Sequence, residues 1–243
     1  MTNPLAVVTG ASSGIGHALA HQFARNGFEL VLAADEPVPV VEAETVTVDL
    51  TTSSGVQALY DRVRTRAVAV LALNAGITAR SDDLERELAM IDLNVRSTVQ
   101  LARLVTADMA AHGHGRVLLT ASIVDVMPGP HQAAYNASKS FVANFGLGLR
   151  HELREHGVTV TVLEPGPTET PIFARAGQLN TLLGSRVSKD DPEAVARQAF
   201  DALMAGREKV VAASLASKAT HLAARVLPNT ITARLNALAT RPR

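Results

Sequence analysis

The chain has 243 residues, 47% of them hydrophobic, and balances 23 basic against 23 acidic side chains for a formal net charge of zero. A chain of this size can bury a sizeable core, and its neutrality leaves no global field to draw in nucleic acid or an anionic membrane. With no cysteine, it has no disulfides, thiolate metal sites or cysteine nucleophiles.

No apolar run reaches the ~18 residues of a membrane span, and the opening "MTNPLAVVTG" reads as a strand rather than a signal peptide. The expectation is one domain over residues 1–243 in the cytoplasm. Short apolar runs alternate with segments of helical spacing. The predicted strands are Leu5–Gly10, Glu29–Ala34, Thr45–Leu50, Ala69–Gly76, Arg116–Ser122, Val158–Gly166 and Lys209–Ser214. Several lack polar alternation, as strands covered on both faces do. Alternating β and α segments predict an α/β fold with a doubly wound parallel sheet of about seven strands, of Rossmann type.

The first helix runs from Gly14 to Asn26, with Ile15, Leu19 and Phe23 at four-residue spacing and Gly27 at its stop. Glu36–Glu44 holds two prolines and reads as a loop or a single turn. Asp191 and Pro192 open a late helix that Gly206 closes.

"VVTGASSGIG" joins the first strand to the first helix. Gly10 lets the chain turn, Gly14 lets backbone approach a pyrophosphate, and Gly16 lets the helix lie close to the sheet. The helix N-terminus offers free N–H groups to phosphates, and Ser12 and Ser13 add hydroxyls. The plainer reading is a tight turn that binds nothing.

Tyr135 and Lys139 stand four residues apart in "AAYNASKSF", and so share one helix face. A phenol titrates near 10, too high for a base at neutrality; a neighbouring cation favours phenolate and brings it nearer the working pH. An incidental surface pair is the plainer alternative.

Thr9, Gly10, Gly14 and Gly16 resemble the TGxxxGxG motif of the short-chain dehydrogenase/reductase family. Asn74, Ala75 and Gly76 resemble its NAG motif, Tyr135 and Lys139 its YxxxK pair, and "PGPTET" from Pro165 its nicotinamide-side PG motif. Asp49, Asn94 and Ser122 also fall where the family pattern wants them. The resemblance runs from Leu5 to about Thr170. It implies an NAD(P)-dependent oxidoreductase that interconverts a secondary alcohol and a carbonyl by hydride transfer. Tyr135 would be the general acid/base. Lys139 would lower the tyrosine pKa and bind the nicotinamide ribose, and Ser122 would orient the reacting oxygen. Asn94 would hold a relay water. Pro165, Gly166, Thr168 and Thr170 would hold the nicotinamide for transfer of its pro-S hydride, and Asp49 with Leu50 would meet the adenine. Ile15 completes the expected glycine-turn contacts.

A carboxylate after the second strand accepts hydrogen bonds from the adenosine ribose and repels a 2′-phosphate. Here "LAADEP" supplies Asp35 and Glu36 with no Arg or Lys beside them, so NAD is favoured over NADP, which stays open. A lid is expected around residues 171–190, with Ile172, Phe173, Leu179, Leu182 and Leu183 as an apolar wall, joined by Val124, Val126 and Met127. This would suit a hydrophobic small-molecule alcohol or carbonyl. His112 and His114 lie in a turn and read as solvated rather than metal-binding.

Residues 215–243 carry five basic and no acidic side chains, with apolar residues at helical spacing. Peripheral contact with an anionic membrane is one reading. A C-terminal helix pair packed on the domain or across a subunit contact is the favoured one. The resemblance also implies a homodimer or homotetramer through helices around Gln100 and Phe145. A cofactor-binding regulator or scaffold of the same fold, without turnover, is the main alternative. An epimerase or dehydratase of the extended family branch is the third.

Overall fold

The computed structural model describes residues 3–39, 42–185, 187–212 and 214–241, with the side chain of Leu183 outside the described set. Seven strands form one parallel sheet in the order β3-β2-β1-β4-β5-β6-β7. They are β1 (Leu5–Thr9), β2 (Glu29–Ala34), β3 (Glu44–Thr47), β4 (Val68–Leu73), β5 (Gly115–Thr120), β6 (Val158–Leu163) and β7 (Lys209–Val210).

Alternate strand residues feed two cores. Val7, Val31, Leu71, Val117, Leu119 and Val162 pack with α2 (Ser53–Val63), α4 (Thr98–His112) and α5 (Ala133–Leu153) on one face. Ala6, Val8, Leu32, Val70, Leu118 and Leu163 pack with α1 (Gly14–Arg25) and α8 (Pro192–Met204) on the other. This double burial is why the strands read as unbroken apolar runs. Because helices cross to opposite faces on either side of β1 and β4, the strand order reverses there and opens a crevice beyond their C-terminal ends.

Local signals hold at several boundaries. Asp191 accepts from the amides of Glu193 and Ala194 with Pro192 at the first helical position. Gly27 and Gly206 sit just beyond their helices with φ of +77° and +63°. Among the described residues, 35–39 and 42–43 form neither helix nor strand; Val40 and Val41 lie outside them.

Several strands end earlier than the apolar runs. β5 stops at Thr120, and Ser122 instead caps a 3₁₀ turn at Ile123–Val126, its hydroxyl accepting from the Val124 amide. β3 stops at Thr47, so Asp49 lies in a turn, where its carboxylate accepts from the amide and hydroxyl of Thr51. β7 is only two residues long, and Ala213 in its expected extension lies outside the described residues.

After α3 (Leu84–Ile91) the chain widens into a π-helix, Asp92–Ser97, that leads into α4. The lid carries two short helices, α6 (Ile172–Arg175) and α7 (Leu182–Ser185), with Arg186 outside the described residues. The C-terminal region forms α9 (Leu215–Val226) and α10 (Asn229–Thr240), which end before the undescribed Pro242 and Arg243.

Candidate active site

A cleft of about 620 Å³ opens along the C-terminal edge of the sheet. Thr9, at the end of β1, ties its floor together. Its hydroxyl accepts from the amides of Asn74 and Ala75, which follow β4. Asn74 in turn accepts from the Thr120 hydroxyl of β5 at 3.2 Å. Thr9 thus lies beneath the cleft and braces it, as does Gly16: a side chain there would run into the Gly10 carbonyl, so only glycine lets α1 lie this close. Gly10, Ser12, Ser13, Gly14, Ile15, Asn74, Ala75 and Gly76 line the cleft itself.

The α1 N-terminus fits a dinucleotide pyrophosphate. Ser13 occupies the N-cap but makes no side-chain cap, whereas Thr52, Asp83 and Asp191 each cap theirs. The first-turn amides of α1 therefore keep their donors for an anion, with the helix dipole behind them. Gly14 has φ of +58°, and an added Cβ would lie 2.8 Å from the Thr170 methyl. The turn and the chain beyond β6 close upon each other at this point.

At one end of the cleft, Asp35 is exposed directly after Ala34, the last residue of β2, and Asp49 and Leu50 line the same wall. Glu36 is paired from the lid: Arg175 reaches it at 2.6 Å. Arg175 also lines the cleft, so this end holds a cation that sequence neighbours of Asp35 do not reveal.

Ser122, Tyr135 and Lys139 meet at the other end. Tyr135 and Lys139 lie one turn apart on α5, with the ammonium 5.9 Å from the phenol ring centroid. Lys139 is buried and donates to the Thr120 carbonyl at 2.9 Å. Burial pulls its pKa down to about 8. Burial pushes the Tyr135 phenol up to about 12, against a hydrogen bond with Ser122 that favours the phenolate. The tyrosine is therefore higher than its ordinary value, contrary to the lowering expected from Lys139 alone. Desolvation outweighs the Ser122 hydrogen bond here because the phenolate has little water around it.

Asn94 does not line the cleft. It sits in the π-helix with its amide oxygen accepting from the Ile77 amide at 3.0 Å. Its nitrogen donates to the Ile77 carbonyl and to the Ser138 hydroxyl. A Cβ on Gly76 would lie 3.1 Å from Asn94 and 3.3 Å from Lys139. A side chain on Gly76 would press on both Asn94 and Lys139, and the π-turn is the device that brings the amide inward.

Pro165, Gly166, Thr168 and Thr170 line the cleft after β6, and the Thr168 hydroxyl bonds the Gly166 carbonyl to stiffen the turn. In the lid, Ile172 and Phe173 face the cleft, joined by Val187, while Leu179 is exposed and neither it nor Leu182 is part of the wall. Leu183 is not described. Val124 and Met127 line the cleft, but Val126 does not.

The sequence left two groups unmarked. Ser217, Thr220, Leu235, Asn236 and Ala239 of the C-terminal helices form part of the cleft wall. Asp125, Glu164 and His221 bring ligand atoms within 4.8 Å of one another in a buried cluster. Lys209 donates to Glu164 at 2.6 Å, and His221 donates from Nδ1 to the Ile123 carbonyl. The ammonium of Lys209 occupies the place of a cation beside Glu164. Burial and the adjacent Glu164 carboxylate raise Asp125 to about 7. These residues come from four separate segments, and no spacing in the sequence brings them together.

The crevice at the strand switch point, the uncapped helix and the Ser–Tyr–Lys group together define a nucleotide-dependent oxidoreductase. A family model for short chain dehydrogenases matches residues 4–180. The chain is 34% identical over 209 residues to an uncharacterized short-chain type dehydrogenase/reductase of Sinorhizobium fredii, covering 79% of each. A short-chain dehydrogenase from Sphingobium yanoikuyae in complex with NADPH superimposes with a TM-score of 0.81 at 26% identity, over 99% of this chain and 96% of that one. A Burkholderia phymatum short-chain dehydrogenase/reductase in complex with NAD gives 0.79 at 26% identity, over 90% and 92%. The chain belongs to the short-chain dehydrogenase family and is an NAD(P)-dependent oxidoreductase.

Proposed function

We propose that this protein interconverts a secondary alcohol and a ketone of apolar character, with Tyr135 as the acid/base. The observation that carries this reading is the meeting of Ser122, Tyr135 and Lys139 at one end of the cleft. When bound, a nicotinamide cofactor supplies or accepts the hydride. The chain's own residues handle the proton and the placement. Ser122 holds the reacting oxygen beside the phenol and favours the phenolate through its hydrogen bond. Tyr135 takes the hydroxyl proton of an alcohol or gives one to a carbonyl oxygen. Lys139, anchored on Thr120, puts positive charge near the phenol and carries the ribose hydrogen bonds. Asn94 fixes the backbone at Ile77 and stands next to Lys139 across Gly76, where a relay water fits this chemistry.

Gly10, Ser12, Ser13, Gly14 and Ile15 hold the pyrophosphate. Pro165, Gly166, Thr168 and Thr170 hold the nicotinamide end, and Asp49 and Leu50 the adenine. We favour NAD on the strength of exposed Asp35 at the ribose end. Arg175 is engaged by Glu36, which keeps its charge from a 2′-phosphate. Ile172, Phe173, Val124, Met127 and Val187 make the substrate end apolar, which supports a hydrophobic substrate.

The family reading extends to assembly as a homodimer or homotetramer through α4 and α5. There Phe141 is exposed and stacks on Phe145, with Arg103 over the latter ring. Light scattering of the purified protein tests that part. The activity is tested by hydride transfer on a panel of secondary alcohols and ketones of increasing apolar size. The reading expects turnover to rise with apolar size and to fall ~100-fold or more in Ser122→Ala. Equal turnover by that variant would remove Ser122 from the chemistry.

A further inference from the structure

The C-terminal helices dock the wrong way round for a simple cover. α9 and α10 bury His221, Ala224, Thr232, Asn236 and Thr240 against the body. Their large apolar residues face water. Leu222 is 65% exposed, Val226 77% and Leu238 63%, and Leu215, Ile231 and Leu235 are exposed with them. The outward residues keep helical spacing: 215, 222 and 226 on α9, then 231, 235 and 238 on α10. Each helix thus carries an apolar stripe. A helix that only covers a core turns that stripe inward. Here polar contacts make the inner seam, with Thr240 donating to the Pro130 carbonyl at 2.8 Å and His221 to that of Ile123. Exposed apolar surface of this extent marks an interaction site.

Charge selects the partner. Lys218, Arg225, Arg234 and Arg241 are all exposed, and the sequence has no acidic residue from Leu215 onward. Among the described residues, none of these four belongs to an ion pair. A second copy packed by a twofold axis would set these cations against their own counterparts with no carboxylate between them. Anionic phospholipid headgroups supply the missing counter-charge.

We propose that the α9–α10 pair docks this protein onto anionic membrane surface. The apolar stripes enter the boundary between headgroups and acyl chains, and the four cations meet the phosphates. The inner side of the same helices gives Ser217, Asn236 and Ala239 to the cleft wall, so docking holds the substrate end of the cleft close to lipid. That last consequence rests on the apolar-substrate reading above; the docking itself does not.

The test is co-sedimentation of the full-length protein with vesicles of phosphatidylcholine mixed with phosphatidylglycerol, against phosphatidylcholine alone. The protein is expected to partition onto the mixed vesicles at low salt and to be released at high salt. Leu222→Ser with Val226→Ser lowers the partition at least about tenfold through lost apolar burial. Arg225→Gln with Arg234→Gln lowers it on the order of thirtyfold. Both pairs retain the wild-type circular dichroism and hydride transfer. Equal partition onto both vesicle types, or unchanged binding by both variants, overturns the proposal. So does an apolar variant that shrinks the oligomer in light scattering while vesicle binding is unchanged, which assigns the surface to a second copy. Because vesicle binding is read without turnover, its failure is distinct from a failure of the catalytic reading.

Discussion

Lys139 donates to the carbonyl of Thr120 at 2.9 Å, joining the second turn of α5 to the last residue of β5. This one bond sets where the ammonium stands and how dry it is. Burial lowers the lysine to about 8 from 10.5. The native state therefore binds fewer protons than the unfolded chain between those values. The lysine's contribution to stability is present above pH 10.5 and is lost as pH falls toward 8. Lys139→Met is expected to flatten that rise in denaturant melts run across the window, and to lower turnover roughly a hundredfold or more. A variant whose melts keep the wild-type slope would mean that another group titrates there.

Gly14 and Thr170 make a second such relationship. A Cβ on Gly14 would need the left-handed backbone region and would press on the Thr170 methyl at 2.8 Å. Gly14→Ala is expected to cost about 1–2 kcal/mol from backbone strain alone. That corresponds to a fall in Tm of roughly 2–4 °C per kcal/mol, with weaker cofactor binding besides. Adding Thr170→Ser removes the methyl and should recover binding in part, but not the backbone strain. Calorimetry and cofactor titration of the single and double variants separate the two effects.

In the proposed reading, Asp35 carries the cofactor preference. Its carboxylate is exposed in the cleft wall, where on that reading it would oppose a 2′-phosphate. Asp35→Ser is expected to raise kcat/KM for NADP relative to NAD by roughly fivefold or more, the yield of ~1 kcal/mol of repulsion at 4 Å in water. Glu36→Gln frees Arg175 from its ion pair and should move the ratio the same way. A ratio unchanged in both variants would place the selection elsewhere.

The buried Asp125 gives a pH signature of its own. Its carboxyl is raised from 3.8 to about 7 by burial and by Glu164 beside it. The native state thus holds a proton that the unfolded chain releases, so stability falls as pH rises from about 4 to 7. Asp125→Asn keeps the shape without the charge. It should abolish the fall and raise the Tm at pH 8, where the wild-type carboxylate is ionised in a buried place beside Glu164. Parallel thermal melts of wild type and variant would contradict this.

Much of this was legible in the sequence because it was local. The glycine turn, the Tyr135–Lys139 spacing and the Asp191–Pro192 start each depend on neighbours within a few residues, and the seven-stranded parallel sheet follows from buried runs alternating with helices. Contacts between distant segments were not legible. Asp125, Glu164, Lys209 and His221 come from four separate segments, and Arg175 reaches Glu36 across 139 positions. Periodicity found the stripes of α9 and α10 but not the side that docks, because the docked side is held by Thr240 and His221 through hydrogen bonds. The direction of the Tyr135 shift was also hidden, since it depends on how dry the cleft wall is.

The most direct test of the catalytic account is hydride transfer by Tyr135→Phe on any alcohol or ketone that the wild type turns over, with cofactor affinity measured on the same preparation. The account predicts a loss of roughly 10²–10⁴-fold in turnover with cofactor affinity within a few-fold of wild type. A Tyr135→Phe enzyme that turns over as fast as wild type would contradict it.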